Sequence, residues 1–367
     1  MRICLISVEI FAWGKYGGFG KATRLIGREM ARRGHDVFAV VPRRPRQRPV
    51  EQLDGITVLG FSPFAPWTAA ALFRQCDADL YHSCEPSFGT YLALRAMPGR
   101  KHIVTLRDPR DLRDWWMEYD LPSLNKLQVL HNYLYENNWL VRRTVRQMDA
   151  VYTNAIYLIP KVKAMYGLKR DPEFLPTPVA VPAQLRKAEQ PTVCYVARLD
   201  RRKRPTLYFD LAQRFPHVRF IAMGKARDPQ WGAYLQKTYG DVPNLEMIGL
   251  VDQFSSERHS QILSESWVMV NTATREALPN AFLEAAAHQC AILSGVDPDG
   301  FASRFGHHAR DEDFAKGLAA LLDGDAWRAR GLQGYEYVRD TFELNHAVDL
   351  HEEVYRQLPP APRTIRA

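Results

Sequence analysis

The sequence predicts an α/β protein with two doubly wound parallel-sheet domains, Rossmann-like in type, facing a cleft. Apolar β-branched runs alternate with helical patterns in the first half of the chain, and the alternation starts again at Thr192. A proline-rich stretch from Phe174 to Pro191 separates the two series. The 367 residues exceed twice the ~150 of a typical domain. We therefore predict a first domain over 1–175, a linker over 176–190, a second domain over 191–325, and helices over 326–367 that return to the first domain.

In the first domain, short apolar runs predict buried strands, and apolar residues three and four apart predict helices. The helix Lys21–Arg33 is the clearest, because apolar residues recur at helical spacing from Ala22 to Met30 and Gly34 follows. A long aromatic-rich helical region is predicted from Leu124 to Gln147. The predicted strands are Ile3–Val8, Val37–Val41, Ile56–Phe61, Leu80–Ser83, His102–Leu106 and Ala150–Asn154.

The second domain repeats this pattern. Its predicted strands are Val193–Ala197, Val218–Met223, Leu245–Gly249, Val268–Asn271 and Ala291–Ser294. Its predicted helices are Thr206–Arg214, Ser255–Glu265 and Asn280–Gln289, followed by further helix over Asp325–Leu358. Open α/β sheets bind ligands beyond the carboxyl ends of their strands. Polar residues that follow these strands are therefore the candidates for function.

Composition excludes several classes of protein. With 46% hydrophobic and 25% charged residues the chain can bury cores, so disorder and a fibre are excluded. No apolar run approaches the ~18 residues of a membrane span, and Glu9 interrupts the apolar N-terminus that a signal peptide would need. The five cysteines are scattered, which argues against a disulfide framework or structural zinc and favours a cytoplasmic location.

The net charge of +8 is concentrated in the first half. Residues up to 190 include 28 Lys/Arg against 18 Asp/Glu, whereas the remainder has 21 against 23. A surface with such an excess of positive charge could bind an anionic membrane or nucleic acid. Alternatively, the charged side chains are simply solvated.

One candidate site is the start of the helix that follows Arg275. Pro279 suits the first turn of this helix, and the N–H groups of Leu278, Asn280 and Ala281 then form an anion site at its positive end. Glu276 precedes that end and Glu284 lies inside the helix. Eight residues at 100° each separate these carboxylates by about 80°, so they do not form a side-by-side acid/base pair. The alternative is an ordinary amphipathic helix.

A basic loop after the strand Val193–Ala197 provides cations for the same site. Arg198 and Lys203 stand near the carboxyl end of that strand. Two cations facing a helix N-terminus can hold a diphosphate and neutralise charge on a departing one. Taken alone, a basic loop is more often simply solvated.

In these motifs the chain resembles the retaining GT-B glycosyltransferases of family 4, which use nucleotide-sugar donors. The resemblance runs nearly end to end and rests on the order and spacing of five stretches. They are the loop Gly17-Gly-Phe-Gly-Lys21, VARLDRRKRP, FIAMGKA around Gly224, NLEMIGLV around Gly249, and EALPNAFLEAAA, which is similar to the family's E-x7-E signature.

The resemblance implies roles for individual residues. Arg198 and Lys203 would bind the donor phosphates, assisted by the backbone at Leu278–Ala281. Glu276 would face hydroxyls of the transferred sugar, and Glu284 the ribose. The remaining implied contacts are Gly17 and Gly18 near the sugar and diphosphate, Gly224 in the second domain, and Leu250 near the base. The family implies no metal in catalysis, and we expect no cofactor.

The first domain departs from the family pattern at two histidine positions. The stretch Tyr81-His-Ser-Cys-Glu-Pro86 keeps His82 but has Cys84 where a second histidine is common, and Arg107 replaces the histidine of a T-x-H-D stretch. His82 is therefore a catalytic candidate or a packed structural histidine. Glu85, Arg107 and Asp108 are substrate-binding candidates at strand ends.

The predicted partners are a UDP- or GDP-linked sugar donor and a sugar, lipid-linked or other hydroxyl acceptor. Arg43, Arg44, Arg46 and Arg48 form a basic loop that could dock on the inner face of an anionic membrane, or simply be exposed. No nucleic-acid partner is expected. The alternatives are a nucleotide-sugar epimerase, a phosphorylase, or a nucleotide-sugar-binding protein without catalysis. The sequence leaves open the sugar, the base, the acceptor and the oligomeric state.

Overall fold

The computed structural model describes residues 1–14 and 16–357, which form two compact units. The first unit contains Met1–Leu112, Leu130–Pro178 and, among the described residues, 345–357. The second contains Arg113–Val129 and Val179–Leu344. The second unit thus includes a short segment, 113–129, that the sequence assigned to the first domain.

The first unit is built on an eight-stranded sheet in the order β3-β4-β2-β1-β5-β6-β7-β8. All neighbouring strands are parallel except β3 and β4. The central strands are almost wholly buried, as helices on both faces of a parallel sheet require. The strands are β1 Arg2–Ile6, β2 Asp36–Pro42, β3 Val50–Leu53, β4 Ile56–Phe61, β5 Leu80–Ser83, β6 Lys101–Leu106, β7 Ala150–Thr153 and β8 Glu173–Phe174.

The second unit has a six-stranded sheet in the order β11-β10-β9-β12-β13-β14, and every pair is parallel. Its core combines aliphatic strand residues with aromatic rings, including Tyr208, Phe209, Phe220 and Trp327. The strands are β9 Thr192–Val196, β10 Arg219–Met223, β11 Leu245–Gly249, β12 Val268–Asn271, β13 Ala291–Ser294 and β14 Gly306–His308. The predicted class, two parallel-sheet α/β domains, is confirmed.

Fifteen α-helices lie within the described residues. They are α1 Gly18–Arg32, α2 Ala69–Cys76, α3 Phe88–Ala96, α4 Leu112–Asp120, α5 Lys126–Glu136, α6 Trp139–Val145, α7 Leu158–Tyr166, α8 Pro205–Arg214, α9 Pro229–Tyr239, α10 Arg258–Glu265, α11 Asn280–Ala287, α12 Phe301–Phe305, α13 Phe314–Leu322, α14 Ala326–Phe342 and α15 Leu344–Gln357. The region predicted to be helical from Leu124 to Gln147 contains two helices, α5 and α6, because Asn138 caps a new helix by accepting the Val141 N–H.

The helices predicted over 326–367 are shared between the units. Helix α14 belongs to the second unit, where Trp327 stacks on Trp267 with ring centroids 4.6 Å apart. Helix α15 belongs to the first unit, where its Tyr355 and His351 are fully buried. Of these two helices, α14 thus lies in the second unit and α15 in the first. Residues 358–367 lie outside the described part of the chain.

The predicted linker, 176–190, is fixed to each unit by hydrogen bonds. Near its start, the Pro176 carbonyl accepts a bond from His351 Nε2 at 3.0 Å. Near its end, Lys187 Nζ donates to the His288 carbonyl at 2.6 Å, and Trp267 Nε1 donates to the Ala188 carbonyl at 2.8 Å. Backbone groups outside helices and strands need such hydrogen-bond partners when they are buried. The connector is therefore held in place at both ends.

Candidate functional site

The basic loop of the second unit is held against the ends of two strands. After β9 the chain forms a 3-10 turn at Arg201–Lys203, and Arg204 adopts a left-handed conformation before Pro205 starts α8. The Lys203 carbonyl accepts hydrogen bonds from the Tyr195 hydroxyl at 2.9 Å and from Thr272 Oγ1 at 2.7 Å. These bonds fix the backbone of Lys203 beside the carboxyl ends of β9 and β12.

Lys203 contacts Glu276. Its ammonium forms an ion pair with Glu276 Oε1, and both side chains are largely shielded from solvent. Asn271 Nδ2, at the end of β12, donates to the same oxygen at 3.2 Å. Two residues that the sequence separates by 73 positions, and that we predicted to share one site, are thus in direct contact.

Helix α11 follows Glu276 in the chain. Pro279 takes the N-cap position, with φ −67° and ψ 133°, one residue before the place in the first turn that we predicted. Asn280 and Ala281 open the helix, and Leu278, which precedes it, is buried. The first N–H groups of any helix have no acceptor within the helix and carry its positive dipole end. This end lies four residues from Glu276.

Arg198 is placed differently from Lys203. Its Nη1 lies 3.1 Å from Asp200 Oδ2, and one third of its side chain is exposed. Asp200 is buried and also accepts the Arg227 N–H at 3.3 Å. The structure therefore brings one of the two predicted cations to Glu276 and pairs the other with a neighbouring aspartate.

Gly224 and Leu250 follow the adjacent strands β10 and β11. At Gly224 φ is +155°, and a Cβ would lie 1.8 Å from the Ala197 carbonyl oxygen, so only glycine fits. The Gly224 N–H donates to the Gly249 carbonyl at 2.8 Å, and the side chain of Leu250 is exposed. Close backbone packing here explains the glycine without reference to a ligand.

Glu284 lies inside α11, where its side chain is nearly buried. His259, on α10, places Nε2 3.1 Å from Glu284 Oε2. Glu276 and Glu284 therefore have different partners, in agreement with the sequence-based conclusion that they are not a side-by-side pair.

In the first unit, the glycine loop before α1 is shaped by a carboxylate of the same chain. Glu9 Oε1 accepts the Gly20 N–H at 3.2 Å, at the start of α1. A Cβ at Gly17 would lie 1.9 Å from that oxygen. Gly17 therefore leaves room for the Glu9 carboxylate in this position, and Gly18 is the first residue of the helix.

Glu85, Arg107 and Asp108 are brought together beyond the ends of β5 and β6. Glu85 Oε2 accepts the N–H groups of Arg107 and Asp108 at 2.8 and 3.2 Å. Burial of the carboxyl group raises the pKa of Glu85 to about 8, and the neighbouring Asp108 carboxylate contributes to the same shift. Arg107 Nε donates to the Cys84 carbonyl, and its Nη1 donates to Thr177 Oγ1. The buried Arg107 guanidinium thus anchors the start of the connector.

His82 occupies the core of the first unit. It is fully buried, with Nδ1 2.7 Å from the Tyr355 hydroxyl and Nε2 2.8 Å from Thr105 Oγ1. Burial keeps the pKa of His82 well below its usual range. Both ring nitrogens are used within the unit, so the structure favours the packing role over the catalytic one. The Cys84 thiol is also buried, which raises its pKa.

Two family models match consecutive parts of the chain. The model described as Glycosyltransferase Family 4 matches residues 16–181, and the model described as Glycosyl transferases group 1 matches residues 180–330. The chain belongs to the family 4-type glycosyltransferases. The resemblance drawn from the motifs is confirmed at this level. A sequence comparison with curated proteins finds no match.

Several solved structures are similar to this glycosyltransferase along its whole length. Sucrose-phosphate synthase from Thermosynechococcus elongatus has a TM-score of 0.74 at 17% identity, covering 97% of this chain and 98% of that chain. Anabaena HepE in complex with UDP-glucose gives 0.73 at 13%, covering 97% and 100%. The catalytic domain of Arabidopsis thaliana starch synthase IV, bound to ADP and acarbose, gives 0.65 at 12%, covering 97% and 99%. At such identities the likeness shows the fold, which is GT-B.

Two acidic residues of α4 in this glycosyltransferase were not among the predicted site residues. In the second unit, Asp114 Oδ1 lies 2.6 Å from Arg275 Nε, and Glu118 Oε1 lies 2.7 Å from Arg202 Nη1. Arg275 precedes Glu276, and Arg202 precedes Lys203. The available signal was two acidic residues four apart on a helix, which places them on one face.

The basic loop of the first unit connects β2 to β3. Arg43, Arg46 and Arg48 are exposed, whereas Arg44 is half-buried and its pKa is lowered by burial. The loop is closed by buried Gln47, whose Oε1 accepts the Arg44 N–H at 3.1 Å. Across residues 1–14 and 16–357, this glycosyltransferase has no helix with the length and apolar character to span a membrane.

Proposed function

We propose that this glycosyltransferase transfers a hexosyl unit from a UDP- or GDP-linked sugar to an acceptor hydroxyl, with retention of anomeric configuration and without a metal ion. The observation that carries the proposal is the contact between Lys203 and Glu276, four residues before the start of α11. It places a cation, a carboxylate and a positive helix end at one edge of the second unit's sheet.

The Lys203–Glu276 pair can exchange partners when a donor binds. A diphosphate would compete with Glu276 for the Lys203 ammonium, because both are anions that accept its hydrogen bonds. Glu276, still held by Asn271, is then available to accept hydroxyl groups of the transferred sugar. Lys203 and the α11 dipole would stabilise the charge that develops on the departing diphosphate, which is the contribution a metal ion makes elsewhere.

Retention is proposed through attack on the same face as the leaving group. The C1–O bond to the diphosphate breaks, the acceptor oxygen bonds to C1, and the acceptor proton passes to the departing phosphate. The alternative of two flanking carboxylates, as in glycoside hydrolases, needs a general acid or base paired with a nucleophile. Glu276 forms an ion pair with Lys203 and accepts a hydrogen bond from Asn271, whereas Glu284 contacts His259. These different partners support separate binding roles for the two carboxylates.

The nucleotide and acceptor are proposed by class. UDP-glucose is bound by the similar HepE structure and ADP by starch synthase IV, so nucleotides with different bases bind to proteins of this fold. We propose an acceptor in polysaccharide, glycolipid or glycoconjugate assembly. The exposed Arg43, Arg46 and Arg48 favour a peripheral site on the anionic inner face of the cytoplasmic membrane, where a lipid-linked acceptor would be available.

A donor screen tests the proposal. Thermal shifts are measured with UDP-, GDP-, ADP- and TDP-sugars, because a ligand at 100 times its dissociation constant stabilises by about 2.7 kcal/mol. The stabilising donor is then incubated with acceptor hydroxyl compounds, and NMR of the product gives its anomeric configuration. We expect transfer with retention and equal rates with and without EDTA. Inversion, loss of activity in EDTA, or epimerised free nucleotide sugar would each contradict the corresponding part of the proposal.

A further inference from the structure

Helix α10 presents a histidine where its pattern calls for an apolar residue. His259, Ile262 and Leu263 form the buried face of this helix, at positions three and four apart. An aliphatic side chain at 259 would complete that face at no electrostatic cost. The imidazole instead places Nε2 3.1 Å from Glu284 Oε2, and both side chains are about nine-tenths shielded from solvent.

The next residue of α10 reaches the main chain of the same glutamate. Ser260 Oγ lies 2.7 Å from His288 Nε2, and His288 Nδ1 lies 2.7 Å from the Glu284 carbonyl. Burial lowers the pKa of His288 to about 4, so the ring is neutral at pH 7. Its Nδ1 therefore donates to the carbonyl and its Nε2 accepts from the serine hydroxyl. Two consecutive residues of α10 thus hold the carboxylate and the backbone of Glu284.

We propose that His259 is a positioning residue that orients the Glu284 carboxylate toward the 2′- and 3′-hydroxyls of the donor ribose. This inference rests on the proposed function, in which Glu284 binds the ribose. A hydrogen bond from imidazole to one carboxylate oxygen fixes the rotation of the carboxylate plane. It also offsets the cost of burying the charge, which is large for a carboxylate without a partner. A carboxylate held in one orientation binds a diol without first losing rotational freedom.

The test compares nucleotides with and without the ribose hydroxyls. Dissociation constants for UDP, GDP and ADP, and for their 2′,3′-dideoxy forms, are measured by calorimetry with wild type, H259A, H259Q and the control Q261A. Gln261 lies on the same helix with its side chain exposed. We expect H259A to weaken binding of the preferred ribose nucleotide about tenfold, as for loss of a hydrogen bond to a charged group. The dideoxy form should change less than twofold.

Two further readouts separate positioning from folding. H259Q, whose amide can donate to the carboxylate, should bind within about threefold of wild type, and kcat of H259A at saturating donor should stay within about twofold. A folding defect would weaken both nucleotide forms and lower kcat. Equal losses for ribose and dideoxy forms, or no loss in H259A, would overturn the inference alone. Wild type that binds no nucleotide of the panel would overturn the proposed function together with it.

Discussion

Lys203 and Glu276 form an ion pair that depends on their positions in the folded chain. Each is shielded from solvent, so removing one leaves the other charge without its partner in a poorly solvated place. The backbone of Lys203 is fixed independently by Tyr195 and Thr272. A substitution of the Lys203 side chain therefore removes a charge without releasing the loop.

We predict that K203A and E276A each lower turnover on the order of 10²-fold, because a preorganised charge on the leaving group or sugar is lost. Steady-state kinetics with the donor identified in the screen measures this. The matched control is K237A, which removes an exposed lysine from α9. Near-normal turnover of K203A would contradict the assignment of the site.

Glu85 gives a prediction about pH. Its pKa in the folded chain is raised to about 8, whereas an unfolded glutamate ionises near pH 4.3. Between these values the folded state holds the proton that the unfolded state releases, so the stabilising contribution is complete below about pH 4.3 and is lost as pH rises through 8. E85Q removes this loss and keeps an acceptor for the Arg107 and Asp108 N–H groups.

We therefore expect the Tm difference between E85Q and wild type to grow in favour of E85Q from pH 5 to pH 9, by the equivalent of a few kcal/mol. Thermal denaturation across that range measures it. Contributions from other groups cancel in the difference between the two proteins. Parallel Tm profiles would show that Glu85 is already ionised in the folded chain near neutral pH.

At the scale of elements, α4 is the unexpected part of the second unit. Its Asp114 and Glu118 contact the arginines next to Glu276 and Lys203, and Thr274 Oγ1 lies 3.5 Å from Met117 Sδ. Helix α4 thus contacts both loops of the candidate site, the loop that contains Lys203 and the loop that contains Glu276. The sequence analysis predicted no helix here, and the partners of α4 lie between 84 and 161 positions further along the chain.

We predict that D114N combined with E118Q lowers kcat/KM about fivefold, because loss of two shielded ion pairs lets both loops move, at an expected cost of about 1 kcal/mol. Kinetics at varied donor concentration measures the effect. D120N, at an exposed position of the same helix, is the control and should behave as wild type. An unchanged kcat/KM in the double variant would show that the loops do not depend on α4.

At the scale of the whole molecule, the net positive charge is distributed unevenly along the chain, and no single contact determines this distribution. The excess of Lys/Arg lies before residue 190, and three of its arginines are exposed in the loop between β2 and β3. Charges in such a cluster act together over about a Debye length, so they affect association with a charged surface rather than folding.

We predict that R43S/R46S/R48S weakens binding to phosphatidylserine-containing vesicles, since each cation near such a surface contributes about 1 kcal/mol. Sedimentation with vesicles at low and physiological salt measures this, with purely zwitterionic vesicles for comparison. The control variant K237S/R310S/R328S removes three exposed charges from the second unit. Equal loss in both variants would show a response to net charge without a docking loop.

The sequence predicted the regular elements well where hydrophobic patterns are strong. The apolar central strands and the helix at Lys21 occur close to their predicted bounds. The edge strand Val50–Leu53 was missed, because it is only partly buried and alternates with polar residues. The helical region after Leu124 was predicted without its internal break, because that break depends on the cap at Asn138, which hydrophobic periodicity does not show.

By itself, the sequence determined the fold class, the family and the residue types of the candidate site, since these follow from local patterns and from motifs in fixed order. Only the tertiary structure decided which residues meet. It paired Lys203 with Glu276 and Arg198 with Asp200, buried His82 against Tyr355, and set Glu9 against Gly17. The physical reason is that burial and hydrogen bonding depend on groups far apart in the chain. A side chain such as His82 therefore acquires its role from neighbours that local sequence does not specify.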